Sequence, residues 1–182
     1  IPCSHPLMKI LLDNKEVQSL VPDSLPILIH GEENSGASLY TIVLAAKWFS
    51  QGNKILFLCG YPMAEEAFYE LVDHKNNDAE FYTTERTFEF IERAKEISSD
   101  TIVIIKNIEL FDKQILNILT DNKNIIISGD LQKSILQDEI TKINFATKVF
   151  FSAFPDTSLP ILAKYEGFVV SNNYKGITKL EE

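Results

Sequence analysis

The residues whose types and spacing could do chemistry are Gly31-Glu32-Glu33-Asn34-Ser35-Gly36-Ala37-Ser38. Both glycines and the hydroxyl keep the spacing G-x-x-x-x-G-K-[ST]. In that pattern backbone N–H groups and a helix N-terminus cradle phosphate, a lysine reaches the β and γ oxygens, and the hydroxyl binds Mg²⁺. One position breaks it: Ala37 stands where the lysine belongs. Glu32 and Glu33 add carboxylates close to where a polyphosphate would lie, each repelling it by roughly 1 to 4 kcal/mol per pair of unit charges. Tight nucleotide binding in the usual manner is disfavoured and no cofactor is expected, although the backbone donors leave room for a weakly held nucleotide or other anion. The turn also has a purely structural reading. A strand-to-helix crossing favours glycine, and Ser35 or Ser38 can satisfy free N–H groups at the helix start.

A second group follows the apolar run Ile102–Ile105: Lys106, Asn107 and Glu109. Where phosphoryl chemistry is done, such a strand ends in an acid that holds the metal, beside a group that orients the attacking water. Here Lys106 takes the acid's place and Asn107 the other, while Glu109 reads as solvated surface. The two departures are opposite in sign, which suggests an exchange: Lys106 occupies the former metal position and pairs with Glu32 or Glu33. The alternative is that Lys106 carries its ammonium out to solvent at the strand end. His5, His30 and His74 are widely separated, no Cys/His pair has metal-ligand spacing and no G-x-S-x-G elbow occurs. No metal site and no serine-hydrolase triad is expected.

The elements that must position these groups alternate in an α/β rhythm. Strands are predicted at 26–30, 54–59, 101–105, 125–128 and 148–152, and helices at 37–51, 63–74, 84–97, 112–120 and 132–141. Residues 75–80 read as surface loop. Gly167–Ser171 and Gly176–Leu180, flanking a turn at Asn172, Asn173 and Tyr174, predict a terminal hairpin. The expected architecture is five parallel strands plus that hairpin. Tyr40, Trp48 and Phe49 are expected in the core, and Phe81, Tyr82, Phe88 and Phe90 are expected to pack rather than stack on bases. Arg93 is expected to pair with Glu89 or Glu96 at helical spacing.

Composition narrows the partners. The 182 residues are 45% hydrophobic and 24% charged, with 26 acids against 17 bases and a net charge of −9. At this length roughly 70% of the unfolded surface can be buried, so a core is possible without disulfide or metal. Arg86 and Arg93 are the only arginines, which argues against a phosphate-tracking surface, so nucleic acid is not expected as a sole partner. No apolar stretch approaches the ~18 residues that span a bilayer, and the well-separated Cys3 and Cys59 fit a reducing compartment. No membrane association and a cytoplasmic location are the expectation. Met8-Lys9 would make an ordinary start, so residues 1–7 read as an appended segment or part of a longer precursor, within an N-terminal extension over 1–19 that precedes a single domain over 20–182.

A phosphate-loop-like turn after the first strand, an apolar strand ending at Lys106, a polar-ended strand at Ser128-Gly129-Asp130 and a closing hairpin together resemble the RecA-like branch of the P-loop NTPase fold. The resemblance spans about Leu20 to Glu182. It implies a three-layer α/β/α sandwich with a mostly parallel sheet, and a sensor position at Ser128 or Asp130. Both Walker motifs are degenerate by comparison. Some RecA-like proteins are non-catalytic subunits, and modules of this family assemble side by side. The reading is an inactive ATPase-like module that acts through a protein partner or as a homo-oligomer. The rival is a divergent ATP-binding protein or ATPase using a non-standard cation, and a DNA-processing accessory completed by a basic partner is a third possibility.

Overall fold

The computed structural model describes residues 22–72, 78–155 and 157–180. Eight strands form one sheet: β1 (Ile27–His30), β2 (Lys54–Cys59), β3 (Ala79–Thr83), β4 (Thr101–Lys106), β5 (Ile125–Gly129), β6 (Thr147–Phe150), β7 (Glu166–Ser171) and β8 (Lys175–Lys179). Their spatial order is β3-β2-β4-β5-β1-β6-β7-β8. The first six run parallel, while β7 and β8 add as an antiparallel hairpin on β6.

Two helix layers follow from the pleat, because alternate side chains face opposite sides. Ile27 and Ile29 join Tyr40, Leu44, Phe49 and Phe68 under α1 (Ala37–Ser50) and α2 (Ala64–Leu71). Leu28 and Ile105 join Phe90, Ile118 and Ile140 under α3 (Thr87–Ala94), α4 (Leu116–Asp121) and α5 (Gln137–Thr141). The central strands are buried on both faces, as continuous apolar runs in a parallel sheet require. Tyr40, Trp48 and Phe49 lie in the core. Tyr40 Oη also meets Thr178 Oγ1 at 2.9 Å, tying α1 to the hairpin.

Several expectations need correction. The sheet has six parallel strands, not five, because β3 forms where the sequence reads as loop up to Glu80. It is an edge strand, half-buried and carrying Glu80, so it lacks a continuous apolar run. Its Phe81 ring stacks on Phe57 at 5.2 Å, and Arg93 bonds Glu80 at 3.0 Å rather than Glu89 or Glu96. Arg86 takes Glu89. Phe88 does not pack: it is 70% exposed. The predicted helices over 84–97, 112–120 and 132–141 begin as 3-10 turns, at Thr84–Arg86, Lys113–Ile115 and Leu131–Lys133, and their α-helical parts are shorter. Cys59 is buried at the end of β2, its thiol pushed up to about 12 by burial. Cys3, His5, Met8 and His74 lie outside the described residues.

Candidate functional site

The phosphate-loop-like turn leaves β1 at His30 and enters α1 at Ala37. Asn34 has φ 64° and Gly36 φ 99°, and this left-handed alternation leaves successive N–H groups facing a concavity. The N–H groups of Glu33, Asn34, Gly36 and Ser38 make no hydrogen bond to another described residue. Gly36 is required twice over, by its φ and because a Cβ there would lie 3.1 Å from the Tyr165 ring. Of the two serines, Ser35 satisfies a free N–H at the helix start, as anticipated. Gly36 occupies the cap position without a side-chain bond, and Ser35 Oγ reaches only the Ala37 N–H, at 3.5 Å. Glu32 donates its own N–H to Ser152 Oγ at 2.9 Å, a contact across 120 residues that no local pattern signals.

The parallel register brings the second and third groups alongside. Lys106 pairs with Cys59 on one side and Ser128 on the other. Its side chain neither pairs with Glu32 or Glu33 nor reaches solvent: the residue is 4% exposed, and Nζ donates to Asn107 Oδ1 at 3.0 Å. Burial lowers its pKa, opposed by the Cys59 thiol and the Glu109 carboxylate. The short side chain of Asn107, at φ 65°, supplies the acceptor that holds the ammonium inside. Glu109 is half-buried rather than free surface, and its Oε1 accepts the Asp130 N–H at 3.4 Å. Asp130 in turn accepts the Gln132 N–H at 3.1 Å. Ser128 is 1% exposed.

His30 anchors the base of the turn. Its Nδ1 accepts the Leu131 N–H and its Nε2 faces Ala153 O, both at 3.1 Å, so the ring is neutral with its proton on Nε2. Burial holds its pKa below 6.5, although the Ala153 carbonyl pulls the other way. The unfolded chain therefore takes up this proton before the folded one does. Stability supplied by neutral His30 is present above about pH 6.5 and is lost as pH falls through and below that value. Urea unfolding between about pH 8 and pH 5 is expected to show that fall, and His30→Gln is expected to flatten it. An unchanged slope in the variant would show that His30 does not set it.

These elements enclose a cavity of about 750 Å³ lined by the turn, Lys106, Asn107, Glu109, Ser128 and Asp130. All thirteen residues singled out from the sequence thus border one space. The turn's backbone, Lys106 and Ser128 supply donors, while Glu32, Glu33, Glu109 and Asp130 supply carboxylates. Lys133 and apolar side chains, among them Leu39, Tyr61, Leu110 and Tyr165, were not singled out and complete the wall. The charges do not fit a magnesium–triphosphate: a buried ammonium stands at the strand end and no lysine stands on α1's first turn.

No protein-family model and no curated protein matches the chain. Solved structures do. EccC (ATPases 2 and 3) of Thermomonospora curvata, in complex with a signal sequence peptide, aligns with a TM-score of 0.60 and 10% identity over 86% of this chain and 36% of EccC. The cytoplasmic domain of EssC aligns with a TM-score of 0.58 and 14% identity over 99% of this chain and 48% of EssC. The genome packaging NTPase B204 of Sulfolobus turreted icosahedral virus 2, in complex with AMP, gives 0.52 and 13% over 89% of this chain and 98% of B204. The chain spans a third to a half of the EccC and EssC structures and nearly all of B204. Strand order, turn and neighbours agree that this chain has the α/β fold of the P-loop ATPase domains.

Proposed function

We propose that the chain is a non-hydrolysing P-loop module that works through protein contacts, as an assembly or regulatory subunit in the cytoplasm. The observation that carries this reading is the inverted charge at the cavity. Ala37 offers no cation on α1, Lys106 presents a buried ammonium where a metal-binding acid is needed, and Glu32 and Glu33 repel a polyphosphate. One of the similar structures comprises ATPases 2 and 3 of EccC and holds a signal sequence peptide, which is consistent with a module that meets protein. Among the described residues no helix is long and apolar enough to cross a membrane.

A divergent ATP-binding protein is the second reading, favoured by the left-handed residues of the turn and by Lys106 lining the same cavity. A DNA-processing role would need a basic partner, since both arginines are held in ion pairs with Glu89 and Glu80. Calorimetric titration with ATP and ADP, with and without Mg²⁺, is expected to show no saturable heat up to about 1 mM ligand. Micromolar binding would overturn the first reading in favour of the second. Light scattering after size exclusion reads whether the partner is a second copy of the chain.

A further inference from the structure

The cavity gathers hydrogen-bond donors about Lys106 and the turn, and most of its carboxylates stand on exposed or half-buried residues. At the buried end Lys106 has three N–H donors and uses one on Asn107. Ser128, 1% exposed, lines the cavity with a hydroxyl that bonds no described residue. The unbonded N–H groups of the turn lie beside them. The ammonium and the backbone N–H groups are donors only and the Ser128 hydroxyl is able to donate, so together they call for an acceptor bearing negative charge. Glu32 and Glu33 are exposed and Glu109 half-buried, so three of the four carboxylates surround the outer part, while the buried Asp130 carboxylate lines the inner part and accepts the Gln132 N–H. Tyr61 and Leu110, both exposed apolar side chains, stand on the same wall.

No simple ion satisfies both ends. A polyphosphate suits the inner donors and is repelled by the carboxylates, while a bare cation suits the carboxylates and is repelled by Lys106. A ligand with one carboxylate and a cation a few bonds away satisfies both, and an apolar group between them covers Tyr61 and Leu110. A polypeptide C-terminus has this make-up, and backbone nests are known to capture terminal carboxylates.

We propose that the cavity receives the C-terminus of a partner polypeptide that ends in apolar residues preceded by Lys or Arg. The terminal carboxylate meets Lys106, Ser128 and the turn's N–H groups, and the basic side chain meets Glu32, Glu33 and Glu109. This rests on the reading of the module as a protein-contacting one and names the contact.

Fluorescence anisotropy tests it with a short labelled peptide ending in one lysine and two leucines. Its comparisons are the same peptide amidated at the C-terminus and one with glutamate in place of the lysine. The free acid is expected to bind at least about tenfold more tightly than either. Lys106→Met is expected to erase the difference between acid and amide. Glu32→Gln with Glu33→Gln is expected to erase the difference between lysine and glutamate peptides. Both variants are read only when circular dichroism and melting midpoint show a folded chain, and the acid–amide comparison on the unaltered protein stands without them. Equal binding of acid and amide, or no binding of either, overturns the proposal. If ATP–Mg is also silent, this inference alone falls; if ATP–Mg binds and is turned over, the non-hydrolysing reading falls instead.

Discussion

Ala37→Lys combined with Lys106→Asp, Glu32→Gln and Glu33→Gln is expected to raise affinity for ATP–Mg by at least about 100-fold over the unaltered chain. The turn already has the backbone to hold phosphate, with Asn34 and Gly36 in left-handed conformations and several N–H groups unbonded to any described residue. What it lacks is charge. The new lysine supplies a cation to the β and γ oxygens, the new aspartate replaces an ammonium with a metal-binding carboxylate, and Ser38 is in place for Mg²⁺. Each carboxylate neutralised removes a repulsion of roughly 1 to 4 kcal/mol per unit-charge pair. Calorimetry checks the result, with Ala37→Lys alone expected to fall between the two. A folded fourfold variant that still ignores ATP–Mg would mean that the backbone, and not the charges, prevents binding.

Lys106→Met is expected to stabilise the fold by about 1 to 4 kcal/mol near neutral pH, since buried charge is often replaced favourably by a well-packed apolar group. The ammonium is almost enclosed and has a single hydrogen-bond partner among the described residues. The pH dependence identifies the cause. Burial holds the folded-state pKa of Lys106 below 10.5, so the folded chain releases this proton before the unfolded chain does. The cost of the charge is therefore full below the folded value and fades as pH rises towards about 10.5. The variant's advantage in denaturant unfolding should shrink over the same window. Tyr40, whose pKa burial raises, tilts both curves alike and cancels in the difference, whereas the Cys59 thiol faces Lys106 and its pKa rises further once the ammonium is removed. A variant no more stable than the parent would show that the ammonium finds compensation inside the cavity. The same measurement bears on ligand capture, because a buried charge that lowers stability favours a partner that neutralises it.

The primary structure by itself determined the α/β rhythm, the central strands and the turn after β1. Each rests on local physics: β-branched runs such as Thr101–Ile105, glycines at fixed spacing and a change to helical periodicity at Ala37. It also placed Ala37, Lys106, Asn107 and Ser128 in one neighbourhood, because parallel strands of one sheet present their C-terminal ends together. Only the tertiary structure decided the rest. β3 becomes a strand because Phe81 packs on Phe57 and Glu80 meets Arg93, contacts made outside the strand's own sequence. Ser152 and Tyr165 brace the turn from distant positions, and His30 at its base is tied to distant Leu131 and Ala153. The fate of Lys106 was beyond local reading altogether: the same side chain can reach solvent, pair with a carboxylate or stay inside. Enclosure at the end of β4, with an acceptor on Asn107, selected the last. Spacing along a chain reports which groups can meet, but the depth at which they meet, and hence the strength of their charges, depends on what covers them.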